Sequence, residues 1–497
     1  MTYDLLIKDG IIIDGSGNPR FRGDIGIQGG RIKDVGNPTL SGAEAKKTIN
    51  ASGKFVTPGF IDITSHADKN WSLFQNPKQD YLLTQGITAI LVGNCGSSLA
   101  PLISPDAVES LRKWDRVNQI TINWISVGEF LTELSRHPLG VNVGTLMGQG
   151  TIRRGALKGQ ARPATEDEIG KIAALIGRGM AEGAFGLSLA PAYSHEAPAT
   201  AEETAVFAKV IKTSGGIMKF HLRNEGTELA AAVNEVIQLG RQEGAKTVIS
   251  HLKAIGRKSW PIFKKALGMI ERANEDGFTL GFDIYPYQRT GSFLYLLLPA
   301  WARAGGFEAM LKRIHNSSSR NQIIEDLKRQ TLHYDRYIVA NASTPNSNGK
   351  NIAEIAERIS GTPEETILEL LSANRGKITI FGETLSFKNI SAGISHPLSM
   401  IASDGSGVSL ELGRSGKLVH PRSTGAMTHF LHKFVKEKNL LSWEEGIKKI
   451  TSMPAEVVGF KNRGRISAGY KADIVVFDPE KIRDQSTYHN PYVHSVG

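Results

Sequence analysis

The hydrophobic rhythm of the chain changes twice. Residues 3–13 read as a strand, and Asp14-Gly15 punctuates them as a turn. Asp24-Ile-Gly-Ile27, the Gly29-Gly30 turn and Arg31-Ile-Lys-Asp-Val35 repeat the pattern, Thr48 to Val56 continues it, and Pro58-Gly59 closes it. This predicts short antiparallel strands with tight turns. From Phe60 onward short apolar runs alternate with helical segments, and strands are predicted to end at Cys95, Leu146, Leu189, His221, His251, Tyr285 and Asp404. Helix starts are marked where a hydroxyl residue precedes a glutamate at capping-box spacing: Thr165/Glu168, Thr200/Glu203, Thr362/Glu365 and Ser442/Glu445. Pro363 at the first helical position strengthens the third. Alternating strands and helices over this length predict an α/β fold with a parallel (β/α)8 barrel of the TIM type.

Residues 293–375 break that rhythm, being rich in Lys, Arg, Asn and Ser with helical pieces, and read as an inserted, lid-like subdomain. After Ala455 the first style returns in Gly464 to Gly469 and Ala472 to Asp478, so the two chain ends are expected to pair. The predicted organisation is a small β-sandwich domain from residues 1–57 and 455–497, and a barrel over 58–454.

A length of 497 residues suits a decorated barrel, and 40% hydrophobic with 22% charged residues is ordinary for a soluble enzyme. There is no apolar run of about 18 residues or more. The opening Met-Thr-Tyr-Asp-Leu-Leu-Ile-Lys lacks the basic-then-apolar layout of a signal peptide. A single cysteine excludes an internal disulfide framework and fits the cytoplasm. The net charge of +10 is spread without a long Lys/Arg block, which predicts a solvated basic surface with mild attraction for anionic substrates. No motif supports nucleic-acid or membrane binding.

The chemistry centres on His221 and His251. Each ends a short apolar run, and a helix-like segment of crossover length separates them. Histidines at successive strand ends point across one mouth of a parallel barrel, where a fold assembles metal ligands from distant positions.

The stretch Pro58-Gly-Phe-Ile-Asp-Ile-Thr-Ser-His66-Ala-Asp68 resembles the first barrel strand of the amidohydrolase superfamily, Pro-Gly-Phe-Ile-Asp-x-His-x-His. The resemblance runs along nearly the whole chain and is closest to the N-acyl-D-amino-acid deacylase (D-aminoacylase) branch. It is carried by Val92-Gly-Asn-Cys95-Gly, Gly186-Leu-Ser-Leu-Ala-Pro-Ala-Tyr193, His221-Leu-Arg-Asn-Glu-Gly, Ser250-His-Leu-Lys, Asp283-Ile-Tyr-Pro-Tyr287, Ser403-Asp404-Gly405, His420-Pro-Arg422 and Gly464-Arg-Ile-Ser-Ala-Gly-Tyr-Lys-Ala-Asp473. Order and spacing make the combination specific where each motif alone is weak. Thr64 departs from the pattern, standing where the family has the first His of His-x-His.

The resemblance implies one tightly held zinc on Cys95, His221 and His251, with an open fourth position. His66 is implied either as part of a second, weaker metal site or as a polar wall. Asp404 is implied as the proton shuttle, against the plainer reading of a turn aspartate before Gly405. Arg422 is expected to grip a substrate carboxylate, with Tyr193, Lys253 and Ser292 as further substrate contacts. The implied reaction is zinc-dependent hydrolysis of N-acyl-D-amino acids, small molecules, to a carboxylate and a free D-amino acid; oligomerisation is left open. The alternatives are a cyclic amidase of the dihydropyrimidinase or hydantoinase kind, a D-dipeptidase, or a decayed barrel that only binds. The bridging lysine of the binuclear group is not evident. The resemblance also places one more β-domain strand beyond Gly497.

Overall fold

The structure is a computed structural model and describes residues 2–36, 40, 42–111, 120–330, 332–344, 346–408 and 410–497. The opening segment forms β1 (Leu5–Ile12), β2 (Phe21–Gln28), β3 (Arg31–Gly36), β4 (Thr48–Asn50) and β5 (Phe55–Pro58). Tight turns make β1–β2 and β2–β3 antiparallel, as predicted. However, β4 and β5 lie parallel to β1. A strand that follows a completed hairpin can return in the direction of the first one, and local rhythm does not encode that choice. Ile12, Ile25, Ile27, Ile32 and Val56 bury one face of this sheet in a core of its own.

The strands that follow are β6 (Phe60–Asp62), β7 (Ile87–Val92), β8 (Asn142–Thr145), β9 (Met147–Gly148), β10 (Gly186–Leu189), β11 (Ile217–Phe220), β12 (Thr247–Ile249) and β13 (Leu280–Ile284). Then β14 (Arg289–Phe293), β15 (Tyr337–Asn341) and β16 (Thr379–Glu383) intervene before β17 (Ser399–Ile401) rejoins the series. β8, β7 and β6 pair in parallel, and so do β9 through β13 with β17. The two parallel sheets meet at both ends. At one seam Leu146 N–H donates to Val92 O (2.9 Å). At the other, His66 bridges Ser406, and Asp62 accepts hydrogen bonds from the Ser403 amide (2.9 Å) and hydroxyl. Ile61, Leu91, Ile217, Val248 and Met400 from both sheets share one apolar core, closed by Ala455 and Val458.

Helices Glu166–Ala181, Ala201–Thr213, Leu229–Glu243 and Trp260–Glu275 follow successive parallel strands and bury Ile172, Ile176, Phe207, Val233, Phe263 and Ile270 against them. The boxes at Thr165, Thr362 and Ser442 form in full. At Thr200 the hydroxyl caps Glu203 N, but the Glu203 carboxylate pairs with buried Arg153 instead of reaching back.

The insertion is an antiparallel sheet, ordered β14-β16-β15, with its own core of Phe293, Leu294, Met310, Ile323, Val339 and Leu371. Its first and last strands along the chain, Arg289–Phe293 and Thr379–Glu383, reach beyond residues 293–375 on both sides. The last strand, β18 (Ile474–Phe477), lies antiparallel on β5, so the chain ends do pair. Among the described residues no helix is long and apolar enough to cross a membrane.

Candidate metal centre and active site

Regular strand pairing stops just short of Cys95, His221, His251 and Asp404: β7 ends at Val92, β11 at Phe220, β12 at Ile249 and β17 at Ile401. Beyond those points the backbone turns sharply. Cys95 (φ 54°), His251 (φ 38°) and Asp404 (φ 48°) all adopt left-handed conformations that L side chains disfavour. Each costs about 1–3 kcal/mol, a strain that persists where surrounding structure enforces it. Gly96 follows Cys95 with φ 72°, and a Cβ there would fall 1.9 Å from Glu196 Oε1.

These turns bring the ligand atoms of Cys95, His221 and His251 within 4.8 Å of one another, all buried. Cys95 Sγ lies 3.4 Å from His251 Nε2, and the two imidazoles meet edge to face at 4.5 Å. Burial alone raises the Cys95 thiol pKa, but His251, His221 and His66 outweigh it and hold it well below the ordinary value. His221 Nδ1 is buried with no hydrogen-bond partner among the described residues. A thiolate and two imidazoles suit a zinc-type cation. His66, Cys95 and Asp404 form a second group within the same 4.8 Å limit, with His66 Nε2 3.2 Å from Asp404 Oδ1.

Around these groups lie residues that sequence reasoning did not assign. Glu225 Oε1 is 3.1 Å from His251 Nδ1 and also pairs with the Lys253 ammonium. Burial raises its pKa, but Lys253, His221 and His251 hold it well below the carboxylate range. A carboxylate on the outer nitrogen of a ligand histidine fixes the ring, and Glu225 was visible inside the His221-Leu-Arg-Asn-Glu-Gly stretch. Arg422 N donates to His420 Nδ1 (3.1 Å), which leaves Nε2 protonated to donate to Arg289 O (3.0 Å). Burial and Arg422 push the His420 pKa well down, so the neutral ring acts as a positioning residue for Arg422.

Asp404 is ionised: burial raises its pKa, but Arg422, His251 and His66 bring it well below the ordinary value. Its Oδ2 is 2.9 Å from Arg422 Nη2, and the guanidinium stacks over Tyr285 at 4.6 Å. Arg422 therefore already holds an internal carboxylate, while its buried Nε has no partner among the described residues. Thr64 donates to Asp283 Oδ2 (2.6 Å) and accepts from the Lys219 ammonium.

All nine sequence-predicted site residues line one cleft, with Ser292 and Phe381 contributed by the inserted sheet. Tyr193, its ring 5.2 Å from His221, lies between this cleft and a second pocket. Arg154 and Arg303 line that second cavity, and the buried Arg303 Nε has no partner among the described residues.

A sequence model of the amidohydrolase family matches residues 417–496. The chain is 30% identical to N-acyl-D-glutamate deacylase of Alcaligenes xylosoxydans xylosoxydans, over 99% of this chain and 91% of the relative. The N-acyl-D-glutamate deacylase of Bordetella bronchiseptica, solved with zinc and a phosphonate mimic of the tetrahedral intermediate, superposes with a TM-score of 0.85 at 29% identity, covering 100% and 94% of the two chains. A D-aminoacylase described as having a binuclear metal center, with one-metal activation and second-metal attenuation, superposes at 0.83 with 27% identity, covering 100% and 94%.

Proposed function

The chain belongs to the N-acyl-D-amino-acid deacylase family of amidohydrolases, metal-dependent hydrolases of the amide bond of N-acyl-D-amino acids, and we propose how its own residues divide that work. The observation that carries the reading is the convergence of Cys95, His221 and His251 beside an ionised Asp404 in one cleft. Those three would hold one zinc. When bound, the metal supplies Lewis acidity toward the acyl oxygen and a water of lowered pKa. Asp404 takes the proton of the attacking water and returns it to the departing nitrogen, so the products are a carboxylic acid and a free D-amino acid. His66 steadies Asp404 through Oδ1. Glu225 fixes the His251 ring. Arg422, Lys253, Ser292 and Tyr193 hold the substrate, with Arg422 and Lys253 supplying positive charge for its α-carboxylate. Arg154 and Arg303 make the adjoining cavity cationic, which favours a substrate with an acidic side chain.

The parallel strands β6–β13 and β17, with β8 and β9 taken as one strand interrupted at Leu146, read as the eight-strand barrel of the TIM class, β14–β16 as a roof over its mouth, and residues 1–57 with 455–497 as the β domain. A single cysteine committed to metal suits a reducing cytoplasm.

The test is zinc per chain in purified protein, in parallel with Cys95→Ala, followed by a panel of N-acyl-D-amino acids, their L enantiomers, hydantoins and D-dipeptides. About one zinc in the parent, nearly none in the variant and D-selective deacylation are expected. A parent that binds no zinc, or that opens hydantoins or cleaves D-dipeptides in preference to N-acyl-D-amino acids, overturns the reading.

A further inference from the structure

What stands against Thr64, where the family pattern has a histidine, is a lysine. Ile217, Lys219 and His221 share one parity along and just beyond β11. Ile217 enters the common barrel core and His221 joins the metal group, so Lys219 projects between them. It is completely buried, at 0% exposure. Its ammonium donates to Thr64 Oγ1, to Ile63 O and to Asn94 Oδ1 (3.0 Å), and lies 3.1 Å from Asp283 Oδ2.

Each partner is itself fixed. Asp283, also fully buried, accepts from Thr64 Oγ1 (2.6 Å) through Oδ2 and from His251 N (2.7 Å) through Oδ1. Asn94 Nδ2 donates to Ser65 O (3.1 Å) and Leu91 O (2.8 Å). The network therefore ties the chain after β6, the turn after β7, β11 and β13 to one positive charge. Buried charges survive when they are paired and fully hydrogen-bonded, and four oxygens around one ammonium meet that condition.

The remaining candidates for a second cation site are already engaged. Of His66, Cys95 and Asp404, the carboxylate pairs with Arg422 at 2.9 Å and Cys95 belongs to the first metal group. Buried Lys69 lines the same wall of the cleft. A second dication there would lack the first histidine, compete with Arg422 for Asp404, and sit among fixed positive charges.

We propose that Lys219 replaces the second metal. Its ammonium, seated on Thr64, Asn94 and Asp283, supplies the cross-strand tie and positive charge of a second cation and restricts this deacylase to one metal. This rests on the reading of Cys95, His221 and His251 as the first site.

The test is the metal stoichiometry of the full-length protein. Metal-stripped enzyme is titrated with cobalt(II), following thiolate-to-metal charge-transfer and d–d absorption, and is separately equilibrated with excess zinc and analysed for metal. Wild type is expected to saturate at about one equivalent with either metal, and Thr64→His alone also at about one, because the imidazole meets Lys219. The pair Thr64→His/Lys219→Met is expected to take up about two. A second equivalent in wild type, or in Thr64→His alone, overturns the proposal while leaving the first site standing. Absence of any bound metal in wild type overturns the underlying site reading together with it. A folded double variant that stays at about one equivalent also overturns the role of Lys219, and a second equivalent in wild type overturns the proposal even where a variant fails to fold.

Discussion

Replacing Asp404 by Asn separates proton transfer from metal binding. The side chain keeps its shape and loses its charge, while Cys95, His221 and His251 are untouched. At 2.9 Å the attraction between Asp404 and Arg422 is about 6 kcal/mol with an effective dielectric constant of about 20. The amide still accepts a hydrogen bond from Arg422, and the open cleft admits water. The net loss of stability is therefore about 3 kcal/mol, the lower end for a broken buried pair. The kinetic loss is larger, because Asn accepts no proton: kcat should fall by about 10²–10⁴. The assay combines kcat on an N-acyl-D-amino acid, zinc per chain and the urea unfolding midpoint. The expected result is parental zinc content, a modestly lower midpoint and turnover reduced by orders of magnitude. Turnover within about threefold of the parent would refute Asp404 as the proton carrier. Zinc lost in step with activity would instead place it among the ligands.

Further outcomes follow from the same geometry. Glu225→Gln removes the carboxylate that fixes His251, and zinc affinity measured by competition with a chelator should weaken by about 10–100-fold. Arg303→Ala should lower kcat/KM for an N-acyl-D-glutamate by about tenfold or more while changing a neutral N-acyl-D-amino acid little. The Glu168 carboxylate, held down to about 2 by the Arg162 fork and the Thr165 amide, is depressed relative to the unfolded chain. Its contribution is therefore present above the usual glutamate pKa and lost as pH falls toward 2. Glu168→Gln should cost less than about 1 kcal/mol at pH 7, since water screens the pair, and the difference from the parent should vanish in strong acid.

Much of this could be read from the chain because the informative residues sit where a pattern ends. His221, His251 and Asp404 each close a short apolar run, so the parallel strand pairing and the cleft at the strand ends followed from rhythm together with resemblance. Cys95 was recognised through its Gly-Asn-Cys-Gly context, which no periodicity marks. What escaped was relational. Lys219 lies inside a strand and reads as an ordinary alternating position, and its importance appears only when Thr64, Asn94 and Asp283 arrive from distant segments. Glu225 and His420 act through a neighbour's ring or guanidinium, and a one-dimensional pattern carries no angle. The parallel return of β4 and β5 onto β1 was hidden for the same reason, since strand direction after a hairpin is decided by packing. Arg422 was assigned to the substrate alone, because nothing in the sequence shows that Asp404 claims part of its fork.

The left-handed backbone at Cys95, His251 and Asp404 has a consequence for anyone who tries to make this protein more robust. Glycine adopts such angles freely, so replacing any of the three would relax the chain locally, and a selection scored only on survival of heating would reward it. The substitutions most favourable to the fold would thus be those that empty the proposed reaction centre. Thermal improvement and catalytic competence pull in opposite directions at these positions, and a screen on this enzyme has to read turnover in the same round as heat resistance.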